Sequence, residues 1–319
     1  MRRLVIYGFL LALTGTALLC RGWIEETAAR VVTRRAARQA LAAWGLPPSR
    51  ENVALYLAMG GYRPDFREEA IRFIAESPPP PTRPASVRFS DRWTYAAVLA
   101  DHPVTVGVYD PDPSVADFLD RISRFDPANP NRWFVVRWLK TRDDLVRSFA
   151  QDAFVLYFGH ANAGRGIAFT GPDAEAPLPM GPDTLEVPRT QLTAADEVLE
   201  DLGNGFVRIP GGSQGLDTLA VGCKVFGYFG CRTDRYFRDT WQTRFPQVDF
   251  IGTTYACHTM DMAPEILLKL ARGLHAGRSL GEIVDDLNRD QAAAILFGRM
   301  KETTLYRNSS AHAEQLFTY

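Results

Sequence analysis

Five short apolar runs, separated by stretches of helical character, limit what the central part of this chain can become. They are PVTVGVY (103–109), RWFVVRWL (132–139), AFVLYFG (153–159), CKVFGYFG (223–230) and VDFIGTTYA (248–256). Helical patterning fills much of the sequence between and after them: SVADFLDRISRF (114–125), DDLVRSFAQ (143–151), and a long amphipathic stretch from Pro264 to Leu287 that breaks near Gly277. Strand-length apolar runs alternating with helices indicate a mostly parallel sheet covered on both faces. The fold class is therefore α/β, with three αβα layers around a mostly parallel central sheet. About sixty residues rich in Gly, Pro and Asp separate the third and fourth runs. A connection of that length inside a compact domain is often a functional loop or an inserted hairpin. No internal repeat is visible.

The 319 residues suit two ordinary domains, or one domain with an extension. With 46% hydrophobic and 23% charged residues, neither a disordered nor a fibrous chain fits. Thirty-six Lys and Arg against thirty-seven Asp and Glu remove the electrostatic reason to expect a nucleic-acid partner. Four cysteines are too few for a scaffold built from disulfides, so the core must come from packing.

The region before the α/β pattern has a different texture. Leu4 to Cys20 is an uncharged run of seventeen residues behind Arg2 and Arg3, with Arg21 and Trp23 beyond it. As a helix it would cover ~25 Å, near the lower limit for a bilayer core of ~30 Å. No A-x-A site precedes a cut, and Leu19 stands where a lipoprotein signal wants a small residue. The arginines inside and Trp23 at the far interface fit an uncleaved signal-anchor. A cleaved signal peptide and a buried helix are the alternatives. An anchor or an export signal over 1–22 would give the chain a membrane contact and place the remainder outside the cytoplasm. Residues 23–76 read as helical. EETAARVVTRRAARQALAAWG closes at Gly45 before Pro47 and Pro48, and Asp65 with Glu68 resembles a capping box. SPPPPTRPAS (77–86), with five prolines in ten positions, favours a stiff extended spacer. We place a linker at 77–90 and the α/β domain at 91–319.

In sheets of this kind, chemistry gathers at the carboxyl ends of the strands. His160 follows the third run in FVLYFGHANAGRG, and Cys231 follows the fourth in CKVFGYFGCRTDRYF. Alone, such a His is most often a loop residue, and such a Cys a small buried hydrophobe. Together, each directly after a glycine, they suggest a dyad. A neutral imidazole takes the thiol proton, or holds the thiolate as an ion pair, and creates a nucleophile. Gly159 and Gly230 let the chain leave the sheet and leave room at the backbone.

A hydrophobic strand ending in His, then a later one ending in Cys, resembles the caspase-like cysteine peptidases. That clan includes caspases, gingipains, clostripain, separase and CHAT-domain proteases. The likeness covers about residues 100–290, and FIGTTYACHTMDMAPEILLKLARGLHAGRSLGEIVDDLN is similar to the segment that follows the nucleophile in the CHAT and gingipain branches. The chain departs from the pattern at Ala161, where many members have Gly, and at Arg232-Thr233, where small polar residues are common. The seventy-one positions from His160 to Cys231 exceed the caspase spacing. The resemblance implies a cysteine endopeptidase without cofactor or metal, acting on a peptide or protein. Cys231 would be the nucleophile and His160 the base, with the backbone N–H groups of Ala161 and Cys231 forming the oxyanion hole. It also offers Asp110 and Asp112 as walls of a pocket for basic side chains. The sequence YDPDPS is better described as an ordinary turn, in which Asp and Pro satisfy the turn geometry.

Other candidates carry less. Asp234 and Arg235 suit pairing with each other or capping of the next helix. Cys257-His258 with Cys223 or Cys231 lacks the four-ligand spacing of a zinc site. His102, His275 and His312 look incidental. The glycines of 164–166 and 211–215 precede no phosphate-loop lysine. A reversible Cys223–Cys231 disulfide is disfavoured, since eight positions along a strand separate the sulfurs by ~26 Å. Three classes of function therefore stand: a tethered or exported cysteine peptidase, a catalytically silent caspase-like domain that binds proteins, and another thiol enzyme such as an acyltransferase or redox protein.

Overall fold

The computed structural model describes residues 33–58, 67–72, 86–100, 103–111, 134–169, 178–192, 194, 196–254, 263–296 and 306–308. The apolar segment Leu4–Cys20, the expected helix at 114–125, Asp112, His102, Cys257, His258 and His312 lie outside them. The chain divides into two compact units, Met1–Glu76 and Ser77–Tyr319. In the first, the described backbone is helical over 33–43, Arg50–Ala58 and 67–72. Ala37, Leu41, Val53 and Leu55 are buried there.

The second unit is α/β. Its main sheet contains β1 (Val104–Tyr109), β2 (Phe134–Leu139), β3 (Phe154–Phe158), β9 (Val225–Phe229), β10 (Asp249–Thr253) and β11 (Tyr306–Asn308). The order across the sheet is β11-β10-β9-β3-β1-β2. The five strands from β10 to β2 are parallel, and β11 pairs antiparallel with β10. All five apolar runs of the sequence thus become neighbouring parallel strands. Every residue of β3, β9 and β10 is buried, which explains why these strands read as continuous apolar runs.

Alternate residues serve opposite faces. Val155, Tyr157, Phe226, Tyr228 and Phe250 share one core with Leu145 and Phe149 of the helix Arg142–Gln151 and with Phe237 and Trp241 of the helix Thr233–Arg244. On the other face Phe154 meets Phe89 edge-to-face at 5.9 Å. The Phe89 carbonyl accepts from the Leu280 N–H at 2.7 Å, which joins this segment to the helices Ala263–His275 and Leu280–Leu296. Large side chains such as these contribute roughly 1.5–3 kcal/mol each when fully buried. The break expected near Gly277 falls between those two helices, and Gly277 has φ +69°.

The connection between β3 and β9 is more structured than a loop or a single hairpin. It forms a two-stranded ladder from β4 (Gly166–Ile167) and β5 (Leu178–Pro179), and an antiparallel sheet of order β6-β8-β7. The strands of that sheet are β6 (Thr184–Pro188), β7 (Glu200–Gly203) and β8 (Phe206–Pro210). Leu185, Val187, Val207 and Ile209 form its small core, against which Leu192 and Tyr236 pack. Period-two alternation in TLEVP and FVRIP sends these four side chains inward. The β7–β8 turn runs through Gly203, Asn204 and Gly205, all at positive φ, as tight hairpin turns require.

Candidate active site

The register of β3 and β9 brings the two reactive residues together. Phe158 stands opposite Phe229, and the Gly159 N–H donates to the Phe229 carbonyl at 3.1 Å, carrying the pairing one step past both strands. His160 and Cys231 are the next residues but one after that register pair. They therefore leave neighbouring strands, ~4.8 Å apart, at the same level of the same sheet edge. Both are exposed. Gly230 is needed at this crossing. A Cβ there would lie 2.8 Å from the Gly159 carbonyl oxygen, 3.2 Å from Thr233 Cγ2 and 3.4 Å from Ala161 Cβ. The two strand ends are in direct contact.

The turn carrying Cys231 is short. Arg232 adopts a left-handed conformation (φ +56°, ψ +32°), and the helix Thr233–Arg244 begins at the next residue. Two threonines pin it. The buried Thr233 hydroxyl donates to the Tyr228 carbonyl at 2.6 Å and accepts from the Thr253 N–H at 2.9 Å, while the Thr253 hydroxyl bonds the Gly230 carbonyl. Cys231 thus sits between a rigid strand and a helix N-terminus, a position that favours negative charge. Asp234 pairs with Arg238 one turn along at 3.4 Å, and the Arg235 guanidinium lies 5.8 Å from the centre of the Tyr236 ring.

The His160 side is a loop rather than a strand-to-helix turn. Ala161 is buried, Asn162 has φ +43°, and a single 3-10 turn covers Asn162–Gly164. The Ala168 N–H donates to the His160 carbonyl at 3.3 Å and closes the loop. Among the described residues only Asn162, Asn204 and Arg232 are non-glycine with positive φ, so two of the three flank the candidate dyad. Arg165 links the loop to the insert by pairing with Asp196 at 2.9 Å and donating to the Gln191 carbonyl at 3.1 Å.

Tyr109, Tyr157 and Tyr228 occupy one register rank beneath this edge. Tyr109 and Tyr157 stack at 5.1 Å and 7°, and Tyr228 meets Tyr157 edge-on at 5.2 Å. The Tyr157 hydroxyl lies between the carbonyls of Ala168 and His160, closer to the former. The Tyr228 hydroxyl donates to the Gly166 carbonyl at 3.1 Å. Burial pushes the ionisation of both phenols far above the ordinary range, so they remain donors. These tyrosines and the two threonines escape a reading of the sequence. Inside an apolar run a tyrosine looks like core, and its hydroxyl has no pattern of its own. The signal that could have flagged Tyr157 and Tyr228 is their position, one rank before the strand ends.

Of the remaining candidates, Asp110 lies at the same carboxyl edge one strand over from His160, and Cys223 does not. Asp110 follows β1 and is 2% exposed, and its carbonyl accepts from Trp138 Nε1 at 3.4 Å. Cys223 is buried just before β9, at the opposite end of that strand from Cys231, and neither thiol is in a disulfide. Burial raises the Cys223 pKa to about 12. Among the described residues no group of three or more His, Cys, Asp and Glu is placed to hold a metal ion, and no helix is long and apolar enough to cross a membrane. No protein-family model, curated protein or solved structure matches this chain.

Proposed function

We propose that this chain is a cysteine endopeptidase of caspase-like architecture, with Cys231 and His160 as its dyad. The observation that carries the reading is the register Phe158–Phe229, which sets both residues at one level of adjacent parallel strands and exposes both. His160 takes the proton from Cys231 Sγ, and the sulfur attacks the peptide carbonyl carbon. The C–S bond forms as the carbonyl π electrons move onto oxygen. Backbone N–H groups of Ala161 and Cys231 stabilise that oxyanion, each on the order of 3 kcal/mol in barrier height. As the carbonyl re-forms, the C–N bond breaks and His160 passes its proton to the leaving amine. Water, deprotonated by His160, then cleaves the thioester, and the proton returns to sulfur as the free acid leaves.

The substrate on this reading is a peptide or protein, and no cofactor takes part. Leu4–Cys20 tethers the enzyme to a membrane or directs its export, so the catalytic domain works outside the cytoplasm. The same proposal assigns to Asp110 and Asp112 the selection of basic side chains. A second reading, a silent caspase-like domain that binds proteins, is favoured by Val198, Leu199 and Phe206, which are large apolar residues left 43–51% exposed on the insert.

The test uses an electrophilic thiol probe and a mixture of unstructured peptides. The expected result is modification at Cys231 and peptide cleavage, with both suppressed in His160→Ala and cleavage abolished in Cys231→Ala, a loss of at least ~10⁴-fold. Equal labelling of wild type and His160→Ala, with no peptide cleaved, would transfer the assignment to the binding module.

A further inference from the structure

We infer that Tyr157 and Tyr228 are positioning residues for His160, holding the 160–168 loop from beneath through their buried hydroxyls. The inference rests on the dyad proposed above. His160 is the first residue of a loop whose ends meet at the Ala168 N–H and the His160 carbonyl, 3.3 Å apart. The Tyr157 hydroxyl stands at that closure, between the carbonyls of His160 and Ala168. The Tyr228 hydroxyl holds the same loop two residues earlier, at the Gly166 carbonyl. The two rings come from β3 and β9, the strands that carry His160 and Cys231. The group that fixes the base therefore belongs to the same rigid rank as the group that delivers the nucleophile.

An exposed imidazole on a loop has freedom that an acid–base step cannot use. A displacement of about 1 Å can cost ~100-fold in rate. The hydroxyls restrict that freedom at the backbone, through the carbonyls of His160, Ala168 and Gly166. They stay protonated across the working pH range because burial disfavours the phenolates. The titratable groups that act on Tyr157 are Tyr109 and Asp110, and those that act on Tyr228 are Tyr157 and Cys231.

Tyr157→Phe removes one oxygen and keeps the ring that stacks on Tyr109. Tyr228→Phe does the same one strand away. The experiment measures the rate of Cys231 alkylation by iodoacetamide between roughly pH 5 and 9, the range in which imidazole titrates. Wild type, His160→Ala and the two Phe variants are compared, with kcat and KM for a cleaved peptide alongside. The expected result is that His160→Ala changes the pH profile, and that Tyr157→Phe moves it in the same direction. Tyr157→Phe also lowers kcat by ~10- to ~100-fold with little change in KM. Tyr228→Phe gives a smaller effect of the same kind, and it carries the test by itself should Tyr157→Phe fail to fold. A profile altered by His160→Ala but unchanged in both Phe variants overturns the positioning role and leaves the dyad standing. A profile unchanged by His160→Ala overturns the dyad, and the positioning role with it.

Discussion

The two strand ends that meet at the candidate site are built in different ways. After β9 the chain turns within three residues into a helix, and the threonine pair fastens the turn from its own side of the sheet. After β3 it enters an open loop and then a separate small sheet, returning to the parallel layer only at β9. The Cys231 end gains its rigidity from local regular structure. The His160 end borrows its rigidity from hydroxyls that rise from strands beneath it. A nucleophile in a fixed place and a base on a supported loop is an arrangement in which the base is the more easily displaced.

The two cysteines on either side of β9 sharpen this contrast most strongly. Alkylation of the native protein near pH 8 modifies Cys231 and spares Cys223 until denaturant is added, read by mass spectrometry of the two peptides. Cys223 also carries a pH signature. Its thiol stays protonated in the folded protein up to about 12, whereas an unfolded chain ionises it near 9. Unfolding therefore releases a proton between those values, and stability falls as pH rises through that interval. Cys223→Ala makes this slope shallower in urea midpoints measured across it, and what remains in its upper part includes the same kind of proton release from the buried Tyr157 and Tyr228.

Smaller effects separate the two turns. Thr233→Val leaves the buried Thr253 N–H without its acceptor and costs ~1–3 kcal/mol in urea unfolding. That loss is expected on the Cys231 side alone. Arg232→Gly relieves a left-handed residue with a Cβ and should gain ~0.5–1 kcal/mol. Asn162→Gly, on the other loop, should gain only a few tenths, because Asn tolerates this conformation better than Arg. Equal gains at the two positions would mean that the turns store strain alike.

Much of the main sheet was legible because its strands are buried on both faces. Runs such as FVLYF and VFGYF have no polar position to confuse them, and glycine marks where each one stops. Placement of His160 and Cys231 at strand ends followed from that. Their adjacency depends on which strands become neighbours, and no local pattern states that β3 pairs with β9 across an insert of about sixty residues. The insert was opaque for a different reason. Its strands are short, half exposed and surrounded by Gly, Pro and Asp, and the Asn204-Gly205 turn was submerged in loop-like composition. The hydroxyls of Tyr157, Tyr228 and Thr233 were hidden because their use depends on carbonyls brought near by the fold.

The antiparallel strand at one margin of the main sheet has a bearing on self-association. Without β11, the five residues of β10 would present an apolar border of open amides and carbonyls to any passing chain. Pairing with Tyr306–Asn308 occupies that border over Ile251–Thr253, and a three-residue ribbon is itself too short to recruit another strand. The sheet is thereby guarded on that flank against fibril-like stacking.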